Sequence, residues 1–483
     1  MANLKSLAKD TAIYGLSSIV GRFLNYLLVP LYTHYMPKDS GDYGISTNVY
    51  AYTALILVIL TFGMETTLFR FANDDRFKSD TVFSTALSVV GSLTAVFLLL
   101  MFGFITPISD ALGYAQHPDY LLMMAVVVAL DAIQALPFSY LRYQKRALRF
   151  ASLKLLYILI NITLNVIYFV LLGKTSVYYV FFINLLCTSL ITFFFVPDMF
   201  RIKWKFDGKM LREMLSYSWP ILVLGIAGIL NQVADKIMFP LVYPDAADAN
   251  VQLGVYGSCV KIAMVMALIT QAFRYAYEPL VFAKAKDRDS KEYYAQAMKY
   301  FIVFTLLAFL AVMGYMDLLK HIIGEDYREA IPTIPIVMAA EIMMGIYFNL
   351  SFWYKLIDKT IWGAWFSLAG CAVLVAVNVI FIPRIGYWAC AWGGFAGYAT
   401  SMLLSYFVGQ WKNPIRYPLR DIALYTLLAG VLYALMTLVP DTWHPALRMT
   451  VNTLLILVFV AYIIQKDMPL HSLPFVGKYF KKK

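Results

Sequence analysis

Charge is what this sequence has least of. Only 14% of its 483 residues are Asp, Glu, Lys or Arg, and 61% are hydrophobic, whereas soluble domains are about one quarter charged. Mean hydropathy is +0.68. A water-soluble globular domain is thereby excluded. Cysteine is scarce too: Cys187, Cys259, Cys371 and Cys390 all lie in apolar runs, and no C-x-x-C spacing occurs. They read as small core residues. The five histidines are scattered without ligand spacing, so no metal site is predicted. The opening MANLKSLAKDTAIYGL has no small-residue cleavage site, and the first apolar span is expected to stay in the chain.

What remains is apolar sequence in runs of about 20 residues, the length that crosses a bilayer. Fourteen spans are predicted, near 11–36, 42–66, 80–105, 119–141, 148–172, 177–197 and 214–240, then 253–280, 297–317, 330–353, 359–384, 387–409, 419–439 and 444–465. The chain is read as an all-α polytopic membrane protein. Its net charge of +11 would suit nucleic acid if it were clustered on a soluble domain, but it is not. Most Lys and Arg fall in loops on the N-terminal side, as in RYQKRALR at 142–149 and RIKWKFDGKMLR at 201–212. The other side holds only Lys38, Lys174, Lys320, Arg328, Arg384 and Arg448. That asymmetry predicts cytoplasmic termini and no nucleic-acid partner. The tail GKYFKKK is read as an anchor for the anionic leaflet of membrane lipids.

Short segments recur in order. NVIYFVLLG at 165–173 returns as NVIFIPRIG at 378–386, VPLY at 29–32 as FPLV at 239–242, and LFRFA at 68–72 as AFRYA at 272–276. YG at 43–44 returns at 256–257 and ALDAIQALPF at 129–138 as AAEIMMGIYF at 339–348; five such matches with similar offsets indicate a duplication of six spans. An even number of spans gives both copies the same orientation, hence parallel repeats. The predicted domains are an N-lobe (1–200), a C-lobe (201–411), and two further spans with a basic tail (412–483).

Fourteen spans, the repeat, the early SSIVGR and the NVIFIPRIGYWACA stretch resemble the bacterial polysaccharide-transporter branch of the multidrug/oligosaccharidyl-lipid/polysaccharide flippase superfamily. The resemblance covers the whole chain and is nearest to O-antigen and capsule repeat-unit flippases. It implies a two-lobed alternating-access fold in the bacterial inner membrane. It implies a substrate, undecaprenyl-diphosphate-linked oligosaccharide, carried to the outer leaflet, with polysaccharide polymerase machinery as an expected partner.

Charges inside the spans then take on meaning, because each is costly in hydrocarbon. An arginine in the first span, Arg22, with Asn25 on the same helical face, maps through the repeat to Gln232 and Asp235. Asn48 maps to Lys261, Arg70 to Arg274 and Asp131 to Glu341. Arg22, Asn25, Asn48, Gln232, Lys261, Arg70 and Arg274 are the expected substrate-binding residues, since guanidinium and ammonium groups hold diphosphate. Arg22 has a second reading, as a packing partner for Asp131. Asp131, Glu341, Asp235 and Glu278 are the candidates to bind a coupling proton or sodium ion reversibly; no other cofactor is expected. Lys154 and Lys236 are read as snorkelling to the interface.

Other functions leave different traces. A glycan polymerase or ligase needs convergent acid, base or metal groups near the outer surface, and these short loops offer none; no enzyme activity is predicted. A cation-coupled multidrug exporter favours an acidic cavity, against Arg22 and Lys261. A lipid II flippase would share the diphosphate chemistry and stays open as an alternative.

Overall fold

Backbone amides find no water in a bilayer, so each apolar run must satisfy them internally, and a helix does so within one segment. The computed structural model describes residues 28–201, 207–283, 290–357, 359–440 and 442–467. Among them no strand occurs. The helices are α1 (Leu28–Tyr35), α2 (Asp42–Thr61), α3 (Met64–Ala72), α4 (Ser79–Gly103), α5 (Ile105–Ala111), α6 (Pro118–Tyr143), α7 (Ala147–Val166) and α8 (Val177–Arg201). Next come α9 (Gly208–Val242), α10 (Ala246–Ala263), α11 (Val265–Ala283), α12 (Ser290–Gly314), α13 (Met316–Leu319) and α14 (Ile334–Leu350). The last are α15 (Phe352–Leu356), α16 (Ile361–Ile385), α17 (Trp388–Lys412), α18 (Leu419–Thr437) and α19 (Pro445–Lys466). Aspartates start two of the inner ones. Asp207 accepts from the amides of Lys209 and Met210 at 2.9 and 3.1 Å, and Asp245 caps α10 the same way, filling amide positions the helix leaves open.

Eleven helical stretches are long and apolar enough to cross a membrane, or up to twelve if the bent pair α10–α11 is one span. The first of the fourteen predicted spans falls mostly outside the described residues. The twelfth is present as the full-length helix α17, yet it does not qualify on hydropathy. Its glycines and serines serve close packing instead. A Cβ on Gly397 would lie 2.9 Å from the Gly370 carbonyl oxygen, and Ser401 donates to the Phe366 carbonyl at 3.0 Å. The face that packs on α14 and α16 is therefore built from small residues, which lowers the mean hydropathy of the helix.

Two predicted spans are broken. The second divides at Phe62 and Gly63, which have φ of +50° and +67°. The second of these is a conformation that suits glycine. The eighth bends by 41° between α10 and α11.

Helices before residue 202 pack mainly on α6, and α9 to α17 pack mainly on α14, α16 and α17. These two halves meet where α2 runs along α9 and α10. The final pair, α18 and α19, lies on α12 and is pinned at both ends. At one, buried Lys299 meets Asp467 at 2.5 Å and Tyr425 donates to the same carboxylate at 2.6 Å. At the other, Arg448 lies 3.3 Å from Asp317.

Candidate functional site

The site is built where the halves meet, and its two ends are made differently. At the end that loop charges assign to the outside, backbone touches backbone. A Cβ on Gly44 would fall 1.7 Å from the Asn250 carbonyl oxygen, and one on Gly324 would fall 2.0 Å from that of Thr33. Gly254 and Gly257 continue the seam against Gly44 and Thr47. Hydrogen bonds lock it: Gly324 donates its amide to Thr33 at 3.0 Å, Tyr327 its hydroxyl to Met36 at 3.3 Å, and Lys38 pairs with Glu329 at 2.9 Å.

Just below, Asn48 is buried. Its amide nitrogen donates to the Lys236 carbonyl at 2.7 Å and its oxygen accepts from Tyr114 at 2.7 Å. In this conformation Asn48 joins the halves, with both its amide nitrogen and its oxygen engaged. Lys236 does not snorkel. Its Nζ lies 3.0 Å from Asp235 and donates to the Gln232 carbonyl at 3.1 Å. Tyr256 donates to Asp235 at 3.3 Å. Lys236 is also the charged neighbour acting on Lys261 and on Glu341, so these four ionisable groups of the second half form one electrostatic cluster. The side chain of Gln232 is exposed.

The first half carries its own cluster. Asp131 receives a long 3.5 Å contact from Thr188. Lys154 lies with its Nζ 4.1 Å from the centre of the Phe138 ring, and Asp131 and Glu65 are the acids that act on it. The residue itself is exposed, so these acids act on it without enclosing it. Glu65, bonded by Ser139 at 3.2 Å, was not singled out from sequence. It lies two residues past the break at Gly63, where an apolar window ends. Asn378 was missed as well: both its amide atoms are buried without a partner among the described residues, as is the Asn231 oxygen. The repeated NVI, which also holds buried Asn165, was the available signal.

At the opposite end the halves are joined mainly by side chains, with one close backbone approach where a Cβ on Gly63 would lie 3.2 Å from the Ser218 carbonyl oxygen. Arg70 stacks over the Tyr217 ring at 4.0 Å, and Arg76 reaches Asp74 at 2.7 Å and Glu213 at 3.7 Å. Those hydrogen bonds from Arg76 hold the Asp74 carboxyl below its usual range. Between them opens a cavity of about 730 Å³ lined by Arg70, Asp74, Arg76, Lys209, Arg212, Glu213 and Tyr217. A second cavity of about 350 Å³ lies further in, lined by Glu65, Arg142, Phe69 and Ile221 among others. Basic groups outnumber acids at this mouth. Arg274, the repeat mate of Arg70, stacks on Phe348 at 5.0 Å within its own half. Arg22, Asn25 and the Glu278 side chain lie outside the described residues. Among the described residues no cluster of His, Cys, Asp and Glu could hold a metal ion.

No curated protein matches the sequence. Solved structures do match the fold. One described as lipid II flippase MurJ in an inward closed conformation covers 93% of this chain and 98% of its own, at 14% identity and a TM-score of 0.73. An inward-facing multidrug resistance MATE family transporter covers 84% and 96%, at 14% identity and 0.67. The MATE multidrug transporter DinF-BH covers 84% and 96%, at 16% and 0.60. At such identities the likeness establishes the fold alone, an all-helical architecture shared with those proteins. The profile described as polysaccharide biosynthesis protein matches residues 39–332, more than half of the chain, and the protein belongs to that family.

Proposed function

We propose that this protein is a flippase that carries undecaprenyl-diphosphate-linked oligosaccharide, an O-antigen or capsular repeat unit, across the bacterial inner membrane by alternating access. The observation that supports this most is the mouth between Arg70–Arg76 and Lys209–Tyr217. It spans both halves and is rich in guanidinium groups. A diphosphate is a polyanion that bidentate arginines recognise, and a cationic drug would be repelled there. Under this reading the termini are cytoplasmic, the mouth captures the headgroup, and Arg22 and Lys261 receive it at depth. Asp131, Glu341 and Asp235 exchange a coupling proton or sodium ion, and no bond is made or broken in the substrate. A lipid II flippase uses the same chemistry and differs only in the sugar it accepts.

The test is translocation of a defined undecaprenyl-diphosphate oligosaccharide in proteoliposomes. Wild type moves it, and Arg22→Ala inserts normally but does not, because removing the charge relieves an insertion cost of roughly 3 kcal/mol while deleting the counter-charge. Arg22→Lys keeps part of the rate. Recovery of transport in Arg22→Ala with Asp131→Asn would instead make Arg22 a packing partner. Transport of lipid II alone would favour the second reading.

A further inference from the structure

We propose that the outer end of the second half binds one pyranose residue of a glycan, in the cavity between the α9–α10 turn and the α16–α17 turn. The cavity measures about 420 Å³ and includes Tyr243, Asp245, Gln252, Arg384, Tyr387 and Trp388 in its lining. That size suits a small-molecule site.

Its aromatic rings are fixed from behind. Phe239 stacks under Tyr243 at 5.0 Å and 18°. Tyr387 lies between Tyr256 at 6.3 Å and Trp388 at 6.4 Å, nearly parallel to both. The turn that presents the second pair depends on Gly386, whose φ is +58° and whose absent Cβ would sit 3.6 Å from the Tyr243 ring. Tyr387 is buried and serves as backing, whereas the part-exposed rings of Tyr243 and Trp388, rigid and with an apolar face, accept the C–H face of a sugar at small entropic cost.

The polar groups around them are mixed in character. Gln252 donates its amide nitrogen to Asp248 at 2.9 Å, and its oxygen has no bond among the described residues. Asp245 uses one carboxylate oxygen for the cap of α10, and the other is open. Arg384 is exposed and makes no ion pair among the described residues. Two acceptors and one forked donor match hydroxyls, which both give and take hydrogen bonds. A phosphate, which only accepts, would be repelled by the carboxylate and the amide oxygen.

The proposal takes its biological sense from the flippase reading, with the sugar held beside the outer seam as it leaves, but its test does not measure transport. Full-length protein in phosphatidylcholine nanodiscs is examined by saturation-transfer NMR with glucose, galactose, rhamnose and N-acetylglucosamine at millimolar concentration. At least one sugar receives transfer on its ring C–H protons. Arg384→Gln and Gln252→Ala, both at accessible positions, weaken its binding roughly tenfold or more, and Tyr243→Leu abolishes it. Arg70→Ala leaves it unchanged. No transfer to any of the sugars, or transfer unaffected by the Arg384 and Gln252 changes, overturns the proposal. Loss of the signal in nanodiscs containing phosphatidylethanolamine would also overturn it, identifying the cavity as a phospholipid headgroup site. Sugar binding that persists in a protein unable to translocate any diphosphate lipid would count against the flippase reading alone.

Discussion

The two ends of the contact between the halves are made of different material. At one, glycine backbones press against carbonyl oxygens with no room for a methyl group. At the other, an arginine lies on a tyrosine ring and a half-exposed ion pair spans a wide cavity. Backbone contact between helices is all or nothing, because a small displacement removes most of its dispersion energy. Long side chains can follow a moving partner over several ångströms. Under the proposed function, the glycine end is therefore expected to switch between two discrete states, and the basic end to admit a bulky headgroup gradually.

The largest effect should come from breaking the tight end. Gly44→Ala places a methyl group where the Asn250 carbonyl oxygen lies. Overpacking of this kind costs about 1–3 kcal/mol, enough to shift a two-state equilibrium by about fivefold to about 150-fold. The chain's own described cysteines are all buried, so a cysteine introduced at Asn250 reports the seam cleanly. It should be nearly unreactive toward an impermeant maleimide in the parent and react about fivefold faster or more beside Gly44→Ala. Equal reactivity in both would show that the seam does not control access.

Next in size is damage to the open end. Arg70→Ala with Arg212→Ala should lower the initial rate of diphosphate-lipid translocation about tenfold or more while maleimide access at the seam stays as in wild type. If access changed as well, the two ends would be coupled mechanically and not merely by substrate. A smaller, selective change is expected between the ends. Asp131→Asn and Glu341→Gln should each leave substrate binding intact and remove the response of transport to an imposed proton or sodium gradient. An unchanged response would remove these acids from coupling. The smallest effect belongs to Arg76→Gln. Its ion pairs are exposed, with Arg76 at 65% side-chain accessibility, and solvent screens them. Thermal stability should match wild type within error, and transport should lose only part of its salt dependence.

The sequence reveals the helical class because hydrocarbon fixes the length of each span, and the basic loops follow from their charge. It does not reveal the breaks. An average over a span-length window is blind to two residues of left-handed backbone at Phe62 and Gly63, although the FG pair was there to be read. Depth in the membrane was legible as well: Asp131, Asp235, Lys261 and Glu341 stand out as charges in apolar runs. Their partners were not, since periodicity on one helix says nothing about which helix faces it. Lys236 looked like a residue reaching for the interface because the holding carboxylate belongs to its own neighbour, Asp235. The Gly44–Asn250 contact had no signal at all, because a glycine in a helix reads the same whether it faces lipid or another backbone.

The break at Phe62–Gly63 leaves α3 as a rod of about two turns that carries Glu65 near one end and Arg70 further along. A rod that short tilts as one piece. Any tilt that lifts Arg70 from the Tyr217 ring must also move Glu65 relative to Lys154, so the mouth and the charge cluster of the first half share one crank. Under the proposed function, headgroup capture and rearrangement of the Glu65 and Lys154 charges become a single stroke, with the left-handed turn as its bearing.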